Sequence, residues 1–265
     1  MKTFRTRGTL AAAALLSVLT ALAGCGAGAS STSSLGGMQA NPASSAAEMN
    51  PNLDLGSSLN SLPAPDITLV NQFGQPMSLS QFRGKVVMLG FEDSQCTTVC
   101  PLTTQSMLQA KQMLGAAGDQ VQLLGVDANP TATSVADVLA YSRAHGMVNR
   151  WDFLTGSPAE LKAVCSAYHI AVQVEQGQID HTPALFVIDQ QGRLQKVYLT
   201  QMAYSSVTQS AQVLATEVAS LLPSHPKLKS LESLGTVPAQ TPAATVSLPA
   251  AGAMAFRHWP SAAAR

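Results

Sequence analysis

The sequence GKVVMLGFEDSQCTTVCPL, residues 84–102, joins an apolar run of strand length to a pair of cysteines. The run over residues 86–91 has no polar side chain, which fits a β-strand covered on both faces. Pro101 lacks an N–H and has a fixed φ, so it suits the first position of a helix. We therefore predict a helix over residues 101–114, with Cys100 as its N-cap and Cys96 in the preceding loop.

The two cysteines are expected at the positive end of the helix dipole, which lowers the pKa of a thiol and favours the thiolate. A thiolate is both a nucleophile and a metal ligand. The pair therefore has three interpretations: a disulfide that staples the loop, a redox pair, or two ligands of a metal. Three residues separate Cys96 from Cys100, one more than in the usual oxidoreductase motif. This wider spacing leaves all three interpretations open.

Strand-like and helix-like segments alternate on either side of this motif. The pattern predicts a hairpin over residues 66–79 and strands over 121–129, 151–154 and 184–189. The last of these strands is expected to form a second hairpin with residues 194–199. Helices are predicted over 134–145, from Ser157 onward, and over 205–222. Such an order predicts an α/β fold, in which a mixed central sheet is flanked by helices and preceded by an N-terminal β-hairpin. A ligand site is expected beyond the carboxyl end of a parallel strand, where the cysteines lie.

The N-terminus has the pattern of an export signal. Residues 1–24 begin with basic side chains and continue as a short apolar run, and the tetrapeptide Leu22-Ala23-Gly24-Cys25 resembles a bacterial lipobox. We predict a lipoprotein signal peptide over 1–24 and lipidation of Cys25. The protein would then be exported and held on a membrane, facing the periplasm or the cell exterior. A simple signal peptide and an uncleaved anchor helix are the alternatives.

Low-complexity sequence surrounds the predicted domain, residues 63–222. Residues 25–62 are rich in Gly, Ala, Ser, Asn and Pro, and we predict a flexible tether there. Residues 223–265 are again rich in Pro, Ala and Ser and are predicted to be a disordered tail. The chain has 15 basic and 15 acidic residues and shows no basic stripe, so nucleic acid is not an expected partner.

A third metal ligand is predicted at His181, in the segment QIDHTPALFVID that leads into a buried strand. In thioredoxin-like folds the loop before this strand faces the cysteine motif, and a proline there is commonly cis, so we predict a cis bond between Thr182 and Pro183. His145 and His169 lie at predicted helix ends, where capping is the simpler role. Two thiolates and an imidazole suit Cu(I), and the same set can bind Cu(II) or Zn(II).

These segments resemble the Sco (SenC/PrrC) family of copper-binding, thioredoxin-like cytochrome oxidase assembly proteins. The resemblance covers roughly residues 63–222 and rests on four stretches: GKVVMLGFEDSQCTTVCPLTTQ, LLGVDANPTATSVADV, WDFLTGSPAELKAVCSAYHI and DHTPALFVIDQQGRL. It implies a membrane-tethered metallochaperone with Cys96, Cys100 and His181 as copper ligands. It also implies delivery of copper, or of reducing equivalents, to the dinuclear copper site of cytochrome c oxidase or to another copper or thiol client protein.

Two departures keep a second hypothesis open. Thr98 stands where the family often has Asp, with Glu92 and Asp93 as the nearby acids, and His181 is followed by Thr-Pro, as in general thioredoxins. The alternative is an enzyme, a thiol–disulfide oxidoreductase that acts on exported client proteins without a metal. Cys96 and Cys100 would then be its catalytic residues and its redox disulfide. Cys165 is predicted to be a buried core residue.

Overall fold

The computed structural model describes residues 53–199 and 206–230. The predicted signal peptide, Cys25, most of the predicted tether and residues 231–265 of the predicted tail lie outside this part of the chain. The described residues form, in chain order, β1 (Ser57–Pro63), β2 (Thr68–Val70), β3 (Pro76–Ser78), β4 (Val86–Glu92), α1 (Cys100–Met113), β5 (Val121–Asp127), α2 (Val135–Ala144), β6 (Asp152–Leu154), α3 (Pro158–Ala167), β7 (Val172–Glu175), β8 (Gln178–His181), β9 (Leu185–Ile188), β10 (Arg193–Tyr198) and α4 (Val207–Leu221).

Six strands form the central sheet in the order β1-β10-β9-β4-β5-β6. Strands β4, β5 and β6 run parallel to one another, whereas β9 is antiparallel to β4 and β10 is antiparallel to β9. The parallel pairs are joined through helices, because parallel neighbours need a long crossover connection. The predicted mixed sheet is confirmed, and so is the N-terminal hairpin, formed by β2 and β3.

Strand β4 is buried along its whole length, as its apolar run predicted. Successive side chains of a strand point to opposite faces, and here they enter two different cores. Val86 and Met88 pack in one core with residues of α1 and α4. Val87 and Leu89 pack in the other core with residues of α3. The end of β4 therefore has a fixed position between two packed layers.

Side-chain capping begins helices α2 and α3. The Ser134 side chain accepts the N–H of Asp137 at the start of α2. At the start of α3, the Ser157 side chain accepts the N–H of Glu160, and Glu160 reaches back to the N–H of Ser157. This reciprocal pair is a capping box, and it begins α3 where the sequence predicted a helix.

The predicted tether extends too far, because residues 57–63 form the edge strand β1. It pairs antiparallel with β10, and its register shifts between Ser58 and Leu62. Only Leu59 of this strand is buried, so the strand is held mainly by backbone hydrogen bonds. The sequence lacked the alternation of apolar and polar residues that would have revealed it.

The predicted tail begins too early. Residues 223–230 continue along the domain after α4, where Lys229 donates its backbone N–H to the carbonyl of Met113 at the end of α1. Leu228 packs against the core that contains α1 and α4. The apolar contact of Leu228 and the backbone hydrogen bond of Lys229 help to attach this segment, which its Pro- and Ser-rich composition did not predict.

Candidate metal centre

The cysteine pair lies beyond the carboxyl end of β4, at the start of α1. A turn follows the strand, closed by the N–H of Cys96 donating to the carbonyl of Asp93 at 3.0 Å. The N-cap of α1 is Val99, so the helix begins at Cys100 and not, as predicted, at Pro101. This shift points the N–H of Cys100 at the sulfur of Cys96, at a distance of 3.5 Å.

The two thiols are free and differ in environment. Cys96 is half-buried, and its pKa falls to about 5, because it accepts hydrogen bonds from the Cys100 thiol and from the backbone N–H groups of Cys100 and Thr98. The hydrogen bond to Cys96, burial and the charge of Glu92 raise the pKa of Cys100 far above its usual value. The predicted lowering of the pKa is therefore confirmed for Cys96 and wrong for Cys100, whose side chain is buried in the core.

His181 reaches the cysteine pair from the other side of the site. Its Nε2 lies 3.8 Å from the sulfur of Cys100, and its Nδ1 lies 3.1 Å from the carbonyl oxygen of Thr182. A carbonyl can only accept, so Nδ1 carries the proton in the neutral ring and the lone pair of Nε2 faces Cys100. Histidines that bind metals are commonly oriented in this way.

The hairpin of β7 and β8, which the sequence analysis missed, carries His181. The two strands form a separate two-stranded sheet, and His181 is the last residue of β8. Gln176 and Gly177 have positive φ at its tip. The alternation in VQVEQGQI and the central glycine are hairpin signals. The hairpin was nevertheless not predicted, because its exposed strands carry few apolar side chains.

A cavity of about 140 Å³ joins these groups. Its walls include Cys96, Cys100, His181, Glu92 and Pro183. The cavity opens at the carboxyl end of β4, where the strand order predicted a ligand site. The cis geometry of the Thr182–Pro183 bond stays a prediction.

Two buried carboxylates end the neighbouring parallel strands β4 and β5. Glu92 pairs in register with Asp127. Burial raises the pKa of Glu92 well above its usual value, although a hydrogen bond with Cys100 opposes this, and Oε1 has no hydrogen-bond partner among the described residues. Burial also raises the pKa of Asp127 to about 7, while its Oδ1 accepts the N–H groups of Ser94 and Asn129. From the sequence, Glu92 could be identified only as an acid near the cysteines, and its burial could not be predicted.

The remaining candidates lie elsewhere. Cys165 belongs to α3 and is buried in the core, as predicted, and burial raises the pKa of its thiol to about 11. His145 is the C-cap of α2 and packs against Tyr141. His169 follows the end of α3 with a positive φ. None of the three lines the cavity between Cys96 and His181.

Within residues 53–199 and 206–230, no three Cys, His, Asp or Glu side chains already stand in a metal-binding arrangement. The chemistry of the donors nevertheless fits a cation. Two sulfurs, an imidazole lone pair and a carboxylate oxygen without a partner line one cavity. A metal bound by Cys96, Cys100 and His181 therefore remains a proposal.

The part of the chain that the structure describes contains no helix long and apolar enough to cross a membrane.

These features define a thioredoxin-like protein, as predicted. A central strand leads into a cysteine pair, a helix begins at the second cysteine, and a proline loop lies opposite. A family model described as SCO1/SenC matches residues 59–216. The chain belongs to this family, which confirms the resemblance seen in the sequence. The match begins at residue 59, inside β1 and before the boundary at residue 63 that the sequence predicted.

Solved structures of Sco proteins share this fold. Apo Sco1 from Thermus thermophilus is 27% identical, with a TM-score of 0.54, and the match covers 64% of this chain and 97% of that one. ScoI from Bradyrhizobium japonicum, solved with copper bound, is 19% identical, with a TM-score of 0.51 and coverage of 61% and 99%. BsSco, described as having a disulfide switch and as a member of the Sco family of cytochrome c oxidase assembly proteins, is 22% identical, with a TM-score of 0.51 and coverage of 61% and 96%.

Proposed function

We propose that this protein is a copper metallochaperone for the assembly of cytochrome c oxidase, in which Cys96, Cys100 and His181 hold the copper. The observation that carries the proposal is the 3.8 Å approach of His181 Nε2 to the sulfur of Cys100. The fixed tautomer of His181 adds support, because it presents a lone pair and not a proton to the cysteines. Membership of the Sco family and the copper in the Bradyrhizobium protein favour copper as the ion.

The chain's own groups are suited to different tasks in this site. Cys96 is a thiolate near neutral pH and is half-exposed, so it is the cysteine that an incoming ion or partner meets first. Cys100 is buried and holds its proton until a cation replaces it. The carbonyl of Thr182 holds the His181 ring in place. Bound copper would supply Lewis acidity and, between its two oxidation states, a one-electron couple.

Delivery to the dinuclear copper site of cytochrome c oxidase is the finer part of the proposal. It rests on the family resemblance and on BsSco being described as a member of a cytochrome c oxidase assembly family. We further propose that the domain is exported and held on a membrane through lipid on Cys25, which rests on the sequence of residues 1–25. Another copper or thiol client protein is the alternative partner.

A copper titration of the purified chain tests the proposal. We expect about one ion per chain, with binding lost when Cys96 and Cys100 are both replaced by serine, because soft sulfur donors select copper. The matched control is Cys165→Ala, which removes a thiol outside the cavity and should leave the stoichiometry unchanged. Loss of binding in the control, or full binding without Cys96 and Cys100, would contradict the proposal.

A thiol–disulfide oxidoreductase is the second candidate, and the unequal thiols favour it. The Cys96 thiolate would attack a client disulfide, forming a mixed disulfide and releasing one client thiol. Cys100, after losing its proton, would attack the Cys96 sulfur, forming the Cys96–Cys100 disulfide and releasing the second client thiol. The client gains the two electrons that the cysteine pair loses. A Cys100→Ser variant should then accumulate the mixed disulfide with a model client protein that carries a disulfide, and its absence would count against this role.

A further inference from the structure

The side chain of Glu92 is buried without a compensating positive charge from the described residues, so burial raises the pKa of its carboxyl group. It is 1% exposed, and its Oε1 has no hydrogen-bond partner in the described part of the chain. Within residues 53–199 and 206–230 the one ion pair joins Lys196 to Glu217 and does not include Glu92. A carboxylate removed from water is normally hydrogen-bonded, paired with a base or bound to a metal.

The surroundings of Glu92 point to the third of these roles. Its carboxyl lies against the thiol of Cys100 and lines the same cavity as Cys96 and His181. Strand β4 also leaves space for it, since a Cβ added at Gly90 would lie 2.8 Å from Oε1 and 3.3 Å from the sulfur of Met107. The glycine thus allows a carboxyl group to sit below the cysteine pair.

Asp127 is the neighbouring buried acid, and it differs from Glu92 in that one of its oxygens is bound to the backbone, although its Oδ2, like Oε1 of Glu92, has no hydrogen-bond partner among the described residues. It lies beside Glu92 in the parallel register and is equally buried. Its Oδ1 accepts two backbone N–H groups, from Ser94 at 3.2 Å and from Asn129 at 3.1 Å. Asp127 does not line the cavity. Two neighbouring buried acids therefore differ in role: Asp127 holds a loop, while Glu92 faces the site.

We propose that Glu92 is a fourth protein ligand of the metal, through its carboxylate, and that it gives the site a preference for divalent over monovalent copper. The inference rests on the proposed copper function and adds a donor to it. Oxygen donors suit the harder divalent ion, whereas sulfur suits the softer monovalent one. Charge acts in the same direction, because two thiolates and a carboxylate leave less net charge buried around a divalent ion than around a monovalent one.

The test compares Glu92→Gln with Asp127→Asn in the purified full chain. Both variants replace a buried carboxyl group by an amide of the same shape, but only Glu92 lines the cavity. Affinities for Cu(II) and Cu(I) are measured separately by competition with chelators selective for each ion. We expect Glu92→Gln to weaken Cu(II) binding about tenfold or more, a typical loss for a group that supports a metal. Its Cu(I) affinity should change less than about threefold, and Asp127→Asn should change neither.

The Cu(II) electron paramagnetic resonance spectrum gives a second measurement. Replacing an oxygen ligand should alter the copper hyperfine splitting in Glu92→Gln and leave it unchanged in Asp127→Asn. A measurement on the unaltered chain removes any dependence on how the variants fold. In that experiment, infrared difference spectra of chain carrying ¹³C-labelled glutamate should show a carboxylate band shifting when Cu(II) is added.

The outcomes separate this inference from the proposed function. If the unaltered chain binds no copper, the proposed function fails and Glu92 has no metal to bind. If it binds copper but Glu92→Gln keeps its Cu(II) affinity within about twofold, only the role of Glu92 is wrong. Equal losses of Cu(I) and Cu(II) affinity would overturn the preference for the divalent ion. The absence of any glutamate band shift would overturn direct ligation.

Discussion

The sulfur of Cys100 and the Nε2 of His181 lie 3.8 Å apart, although the two residues are separated by 81 positions in the sequence. Cys100 begins the helix that follows β4, and His181 ends the hairpin that precedes β9. Strands β4 and β9 are antiparallel neighbours in the sheet, so both residues meet at one edge. The contact is therefore a product of topology, and it places a nitrogen donor beside a sulfur pair.

The unequal thiols make a prediction for alkylation of the metal-free, reduced protein. Cys96 should react with iodoacetamide at a rate that follows its thiolate fraction, because the thiolate is the nucleophile. With a pKa of about 5, its rate should be half-maximal near pH 5 and level above about pH 7. Peptide mapping by mass spectrometry at each pH measures this rate.

Cys100 is the internal control for that experiment. Its burial and raised pKa should keep it unmodified over the same pH range while Cys96 is consumed. A Cys96→Ser variant should lose the fast reaction completely. A midpoint near the ordinary thiol pKa, or faster labelling of Cys100, would show that the hydrogen bonds to the Cys96 sulfur do not hold in solution.

Asp127 should make the folded state less stable as the pH rises. Its folded pKa of about 7 lies above the ordinary value of ~3.9 for the unfolded chain. The folded state therefore keeps a proton that the unfolded state loses between about pH 4 and 7, and stability falls through that window. In Asp127→Asn this decline should be absent, so the variant should melt above the unaltered protein by roughly 2–6 °C at pH 8 and no higher at pH 4.

An exposed acid provides the comparison for this pH series. Asp119→Asn changes the same chemical group on the surface, and its melting temperature should follow that of the unaltered protein at every pH. Melting by circular dichroism from pH 4 to 8 is sufficient. A difference between Asp127→Asn and the unaltered protein that does not grow with pH would mean that Asp127 is not protonated by burial.

Gly125 is expected to tolerate no side chain. It lies in β5, and a Cβ there would be 2.8 Å from ring carbons of both Phe153 and Trp151. Both rings are buried and packed against each other, with centroids 4.7 Å apart, so they have little room to move. Gly125→Ala should therefore destabilise the protein by about 1–3 kcal/mol, which chemical denaturation would measure. An unchanged free energy of unfolding would contradict this close packing.

Most of the fold follows from local sequence signals. The apolar run of β4 and the helix starts expected at Pro101 and Ser157 each placed an element within a residue or two, because these signals act over short stretches. Strands β1, β7 and β8 were missed for the opposite reason. They are short and largely exposed, and pairing with a neighbouring strand decides them more than their own side chains do.

The candidate site was likewise predicted only in part. Cys96, Cys100 and His181 could be named from residue type and position, and the structure brings them to one cavity. The difference between the two thiols could not be foreseen, since it depends on a one-residue shift of the helix start and on the depth of Cys100. The role of Glu92 depends on burial and on the space above Gly90, which sequence alone does not reveal.

The central claim is that His181 completes a copper site with the two cysteines. The most direct measurement is the Cu(I) and Cu(II) affinity of His181→Ala, compared with that of His225→Ala, which removes an exposed histidine far from the cavity in the sequence. We expect His181→Ala to weaken copper binding by about tenfold to a hundredfold or more, while His225→Ala binds like the unaltered protein. Copper affinity that is unchanged in His181→Ala would contradict the three-ligand site.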